Sequence, residues 1–304
     1  MISLLKKILK VKDSTLKTYE RNIKRLARIA GHDKIPPNKG WIAGEKGKTL
    51  IGKLNKMPLN VKRHLFVAGA VAFRAYTGDK DRSAPWSIAM NESANKYSDQ
   101  RNKQEKTSVE RANWPKDGYK ALGKAASIMK RKISGLLSKK EYTNLEAYEV
   151  QKYIVLFLFA HHTFRLSPAT LYLKASETEN TLLRPRGSRK WVITLRKHKT
   201  DKSLGTLKVE LSAAVSKVLS KYIPKLQNKH NYFLSLKNGE RMNKSSLSKL
   251  ILRLTKSILN KKVGVRLARV LKVTSNRQSI EKSGALLKEL GHSAATQKTY
   301  VRKD

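Results

Sequence analysis

Leu290-Gly291-His292-Ser293-Ala294-Ala295-Thr296-Gln297-Lys298-Thr299-Tyr300 is the stretch on which the reading of this chain turns. Residues 279–290 carry Ile280, Leu286, Leu287 and Leu290 as apolar anchors of a helix, and Gly291 stands where a left-handed residue ends one. His292 therefore opens a turn. On one straight helix His292 and Tyr300 would lie about 12 Å apart along the axis, too far to serve one reacting atom. A backbone break near Ser293 to Ala295 lets them converge. An amphipathic tyrosine and a polar helix-end histidine would supply the same residues, so the stretch gains its meaning from the rest of the chain.

The rest of the chain is strongly basic. Its 304 residues carry 66 Lys+Arg against 22 Asp+Glu, a formal charge of +44, while 39% hydrophobic residues suffice for ordinary cores. A cationic surplus spread from end to end points to a polyanion partner, with affinity falling steeply as salt rises. A packaging protein would carry the same charge. Cysteine is absent, which excludes disulfides, thiolate chemistry and Cys-ligated zinc, and no other metal-ligand cluster stands out. Lysines interrupt Met1 to Leu9 before a signal-peptide core could form, and no 18-residue apolar run follows. The expectation is an intracellular protein with a polyanion partner and no membrane segment.

In chain order, Leu16, Tyr19, Ile23, Leu26 and Ala30 recur at helical spacing from Ser14, with Gly31 as a stop. Lys17, Arg21, Lys24, Arg25 and Arg28 fall largely on other faces and form a candidate phosphate-binding side. A Pro/Gly-rich loop covers Lys34 to Gly40, a second helix Leu59 to Tyr76, and a shorter one Trp86 to Tyr97. Tyr97 to Glu110 holds Val109 as its sole aliphatic residue, so it reads as linker or exposed helix end and divides domain 1–105 from domain 106–304.

The second domain is read as helical to Ser138. Leu145 to Ala160 is apolar nearly all round, a central buried helix that delivers Arg165. Trp191 to Leu195 and Leu207 to Leu211 form the β region, separated by a turn bearing Lys197, Lys199 and Lys202. A solvated hairpin tip would look the same. Helices resume at 212–222 and 245–259. Another opens at Val263 and places Arg266 and Arg269 on one face, where two guanidiniums repel unless an anion bridges them. The fold class is thus mainly α with a small antiparallel sheet.

Arg165, Lys199, Arg-x-x-Arg at 266–269, Leu-Gly-His at 290–292 and Tyr300 form an ordered set. The set resembles the tyrosine recombinase/integrase family, whose pattern is Arg, Lys, His-x-x-Arg, Leu-Gly-His and Tyr. The resemblance covers residues 112–304, and the first domain looks like the family's helical core-binding domain. It implies that Arg165 and Arg269 clamp a phosphate, Lys199 protonates a leaving 5′-oxygen, His292 donates to the phosphate, and Tyr300 is the nucleophile of a 3′-phosphotyrosine intermediate. Lys197 and Lys202 would add DNA contacts. It further implies a two-domain clamp around duplex DNA and a homotetramer on two DNA sites, without metal or ATP.

Three features depart from that pattern. Arg266 stands where the family has His and cannot act as a base near neutral pH. The interval from His292 to Tyr300 is one residue shorter than the family's nine. Four residues follow Tyr300, so the helix that many recombinases lend to a neighbour is not expected. Arg266 also suits the alternative of a type IB-like DNA topoisomerase, and a non-catalytic basic DNA-binding protein is the other alternative.

Overall fold

In this computed structural model the described residues are 5, 9, 11, 13–78, 84–162, 164–165, 167–198, 201–226, 231–276 and 300–302, the side chains of 202 and 203 excepted. They form two compact units, Met1–Lys103 and Gln104–Asp304.

The first unit is helical. Helix α1 (Asp13–Ile29) buries Leu16, Ile23, Leu26 and Ala27 as one stripe and leaves its basic face to solvent. Helix α2 (Gly44–Asn55) follows a short 3₁₀ turn and was not expected from a segment holding Gly44, Gly47 and Gly52, residues that weaken a helix. Packing explains Gly47, where a Cβ would stand 2.4 Å from the Ile42 carbonyl oxygen. Helix α3 (Leu59–Thr77) ends at Gly78, whose φ of 70° needs glycine. Helix α4 (Pro85–Asn102) runs five residues past the expected end at Tyr97. It carries Trp86, the keystone of this core. The indole lies against Gly69, where a Cβ would meet it at 2.1 Å, and donates Nε1–H to the Ile42 carbonyl at 2.8 Å.

The second unit opens with α5 (Ser108–Asn113), whose N-terminus is closed by a reciprocal Thr107–Glu110 capping box. This corrects the linker reading at its end, because Glu110 is buried. Next come α6 (Lys120–Lys132), the single turn α7 (Ser134–Leu137) and α8 (Asn144–His161). Helix α8 is the central element: Val150, Ile154, Val155, Leu156, Leu158 and Phe159 are all nearly inaccessible. Each such side chain contributes about 1.5–3 kcal/mol on burial. Its one buried polar residue with a long-range partner, Gln151, exchanges two hydrogen bonds with Ser235, at 2.8 and 2.9 Å.

Strands β1 (Thr181–Leu183), β2 (Val192–Leu195) and β3 (Leu207–Glu210) form an antiparallel sheet in that order, with Ile193 opposite both Leu182 and Val209. The pair β2–β3 is the expected hairpin; β1, only three residues long, was not foreseen. Between β2 and β3 the turn contains a short helix, α9 (Asp201–Leu204). Helices α10 (Ala213–Tyr222), α11 (Lys244–Leu259) and α12 (Val265–Ser275) complete the described elements.

Candidate active site

Arg165 leaves the most buried helix through a pinned exit. The last carbonyls of an α-helix lack intrahelical donors and carry the negative end of its dipole. Here His161 Nδ1 donates to the Phe157 carbonyl at 2.9 Å, the Tyr119 hydroxyl to that of Phe159 at 2.8 Å, and the Lys272 ammonium to that of His161 at 2.9 Å. Beyond them, His162 Nε2 accepts the Ser212 amide at 3.1 Å, which fixes that nitrogen as the unprotonated one. The His162 ring stacks at 5.5 Å on buried Phe164. Arg165, half-buried, is the next residue.

Helix α12 supplies the second arginine. Leu267, Ala268, Val270 and Leu271 bury one side of it together with Leu122 and Val263, and Tyr300 packs on that cluster. Arg269 is only 9% exposed, and its Nη2 donates to the Tyr300 hydroxyl oxygen at 3.2 Å. The guanidinium carbon lies 5.2 Å from the Tyr300 ring centre. Arg269 and Tyr300, the most demanding pair of the sequence reading, are therefore in contact across 31 residues. Burial pulls the Arg269 guanidinium below the ordinary arginine range; Tyr300 opposes this, while the charges of Arg165 and Arg266 add to it. The charges of Arg165 and Arg266 thus raise a positive field at Arg269, which an anionic oxygen would relieve.

Arg266 behaves differently from its neighbour on α12. Its side chain is 65% exposed and its Nη2 lies 3.9 Å from Glu110 Oε1. The anion needed beside this arginine is supplied by the chain itself. Glu110 also takes a bidentate pair from Arg302, Nε to Oε2 at 2.9 Å and Nη2 to Oε1 at 3.0 Å. Burial pushes the Glu110 carboxyl upward, but hydrogen bonds from Arg302 and Thr107 and the charges of Arg302 and Arg266 outweigh it and hold it below the usual range.

Lys199 and His292 lie outside the described residues, as do residues 279–290 with the helix expected there and the side chain of Lys202. The root of the turn that bears Lys199 is described. Buried Asn180 accepts the amides of Arg196 and Lys197 on Oδ1, both at 2.8 Å. Its amide group donates to Thr170 Oγ1 at 2.8 Å and to the Lys197 carbonyl at 2.9 Å. His198 Nε2 donates across the turn to the Gly205 carbonyl at 2.8 Å. Lys197 pairs with Glu179. In the first unit, Lys17, Arg21, Lys24, Arg25 and Arg28 all remain exposed around one shallow concavity, with Glu20 pairing to Lys24 at 2.6 Å.

Among the described residues no cluster of three or more His, Asp or Glu could hold a metal, and no helix is long and apolar enough to cross a membrane. Asn180, Glu110, Lys272 and Arg302 escaped the sequence reading. Only Glu110 carried a local signal, the Thr107-x-x-Glu110 capping pattern.

No protein-family model and no curated protein matches the chain. Among solved structures, the XerH site-specific recombinase in a pre-cleavage complex with its difH substrate matches with a TM-score of 0.52. The identity is 12%, over 95% of this chain and 74% of that one. The chain has the fold of a site-specific recombinase. XerA recombinase also matches, with a TM-score of 0.44 and 15% identity over 100% of this chain and 93% of that one.

Proposed function

We propose that the protein cuts and rejoins duplex DNA at specific sites through a covalent 3′-phosphotyrosine at Tyr300. The observation that carries this reading is the Arg269–Tyr300 contact at 3.2 Å, beside the field of Arg165. A guanidinium has no acceptor, so in this contact Arg269 donates and the tyrosine oxygen accepts. A scissile phosphate entering the site takes over the Arg269 donor and leaves Tyr300 facing phosphorus. The hydroxyl passes its proton to water, the P–O bond to tyrosine forms, and the bond to the 5′-oxygen breaks in line. Arg165, Arg269 and His292 stabilise the extra charge on the non-bridging oxygens, and Lys199 returns a proton to the leaving 5′-oxygen. The energy of the broken bond is kept in the adduct, so another 5′-hydroxyl reseals it by the reverse displacement without ATP.

Arg266 has no part as a base; tied to Glu110, it adds positive field. Recombination needs two duplexes and, in this reading, four protomers. Relaxation as a topoisomerase would need one duplex and one protomer, and Arg266 at this position is the feature that favours it. The basic face of α1 and the cations of the β2–β3 turn hold the DNA backbone, which makes binding salt-dependent by a log-log slope of about −0.9 per phosphate contact.

The test is covalent capture. Nicked suicide duplexes bearing randomised sequence are incubated with the protein, and adducts are isolated in denaturant and peptide-mapped. Attachment at Tyr300, absent in Tyr300→Phe while DNA affinity persists, is the expected result. Attachment at Tyr222 or Tyr232, or no adduct on any duplex, overturns it. A synapse of four protomers on a selected site separates recombinase from topoisomerase.

A further inference from the structure

The residues just beyond Tyr300 are held more firmly than a chain segment of no consequence needs to be. Val301 is 7% exposed and packs on Val273 of α12. The Arg302 amide donates to Thr274 Oγ1 at 3.1 Å, and its side chain, 7% exposed, makes the bidentate pair with Glu110. Glu110 belongs to an element that is itself moored. Lys261 Nζ donates to the Ala112 carbonyl at 3.0 Å, and the Lys262 amide to Asn113 Oδ1 at 2.9 Å, so α5 is tied to the segment just before α12. One carboxylate, 192 residues away in sequence, thus fixes the far side of a three-residue stretch whose near side is Tyr300.

We propose that Glu110 is a positioning residue: through Arg302 it clamps residues 300–302 of its own chain onto α5 and α12, and so sets the Tyr300 hydroxyl against Arg269. This deepens the proposed phosphotyrosine chemistry and rests on it. The physical case is geometric. The Arg269 contact holds the Tyr300 end of the stretch, and two residues on the paired N–H···O bonds from Arg302 to Glu110 fix the other end in a defined orientation. Burial argues the same way. A buried ion pair is a weak source of stability, because desolvating both ions offsets their attraction, and an apolar pair often stabilises as well. What it supplies and an apolar pair does not is a defined orientation. Glu110 has a second tie to the site through Arg266 at 3.9 Å, so the same carboxylate braces the helix that presents Arg269.

The experiment compares the full-length protein with Glu110→Gln, Arg302→Met and the double variant Glu110→Gln/Arg302→Met. Gln keeps an acceptor for the Thr107 amide, and the double variant leaves no unpaired buried charge, so it keeps the fold where a single variant does not. Three quantities are read: the rate of covalent adduct formation on a captured duplex, the dissociation constant for that duplex, and hydrogen exchange of the peptide spanning 300–302. The clamp predicts that exchange protection of that peptide is lost in all three variants. Adduct formation slows about 100-fold, the usual effect of displacing a reacting group by roughly 1 Å, with the dissociation constant within about twofold. The double variant is no slower than the worse single, because the pair acts as one unit. Restored protection and rate in the charge swap Glu110→Arg/Arg302→Glu would add support. Protection retained in the double variant overturns the clamp. Protection lost with the adduct rate unchanged reduces the pair to a structural contact and overturns the positioning role. If the wild-type protein forms no adduct, the phosphotyrosine reading fails on its own, and exchange alone decides whether Glu110 holds the segment.

Discussion

One substitution at Arg269 separates its proposed role in cleavage from any part it has in stability. Replacing it with Met keeps most of its length beside the Tyr300 ring while removing the guanidinium. Two effects of opposite sign follow. Folding holds this cation out of water at 9% exposure and under the charges of Arg165 and Arg266, and its lowered pKa means that the native state disfavours the charge. Deleting the charge therefore removes a cost, and the second unit should melt at the wild-type temperature or slightly above it. Cleavage goes the other way. Losing a donor aimed at charge that builds in the transition state costs about 10²- to 10³-fold, roughly 2.7–4 kcal/mol. Single-turnover adduct formation on a suicide duplex measures the second quantity, and calorimetry the first. The salt slope of DNA affinity should shrink by about one contact. Cleavage within threefold of wild type would refute the role of Arg269 as a transition-state donor. A melting temperature several degrees lower would show that Arg269 is a packing residue whose contact with Tyr300 is incidental.

Lys199→Ala should slow cleavage of a normal duplex by at least about 100-fold yet cleave a 5′-phosphorothiolate duplex at near wild-type rate, because a sulfur leaving group needs no proton; equal loss on both substrates removes the general-acid role. Asn180→Ala strands two backbone amides and a carbonyl at the root of the same turn, at a cost of about 3 kcal/mol. It should lower the melting temperature and also slow cleavage, with the phosphorothiolate rescuing the rate; no rescue would detach Asn180 from the lysine. Gly69→Ala drives a methyl into the Trp86 ring and should destabilise the first unit by about 1–3 kcal/mol, read as an earlier tryptophan-fluorescence transition. An unchanged transition would mean that the indole is not fixed where it stands.

What the sequence made legible follows a physical division. Helix α8 announced itself because a helix buried on every side needs apolar residues on every side, and α1 because burial on one side leaves a 3.6-residue period. Helix α2 was hidden: its glycines answer to a close approach between Gly47 and Ile42 that no local pattern encodes. Strand β1 was hidden for a related cause, since three residues are too few to show a period. Asn180 looks like any loop asparagine until its four hydrogen bonds are seen to gather Thr170, Arg196 and Lys197.

The pair Arg266 and Arg269 shows where spacing stops and tertiary structure begins. Their separation put them on one helix face, and repulsion between them argued for an anion. The fold divides the two. Arg266 reaches outward to a carboxylate already held by Arg302, while Arg269 turns inward to Tyr300. Neither Glu110 nor Arg302 could be assigned from the sequence, because each lies in a polar stretch where a charged residue is ordinarily solvated. Their meaning arises only when the start of the second unit and the residues after Tyr300 meet. Arg269 and Tyr300 thus stand on one helix and one short segment, and the residues after Tyr300 are held by a carboxylate far away in the chain. Substitutions at Glu110 and Arg302 should then reach the chemistry at Tyr300 without touching DNA.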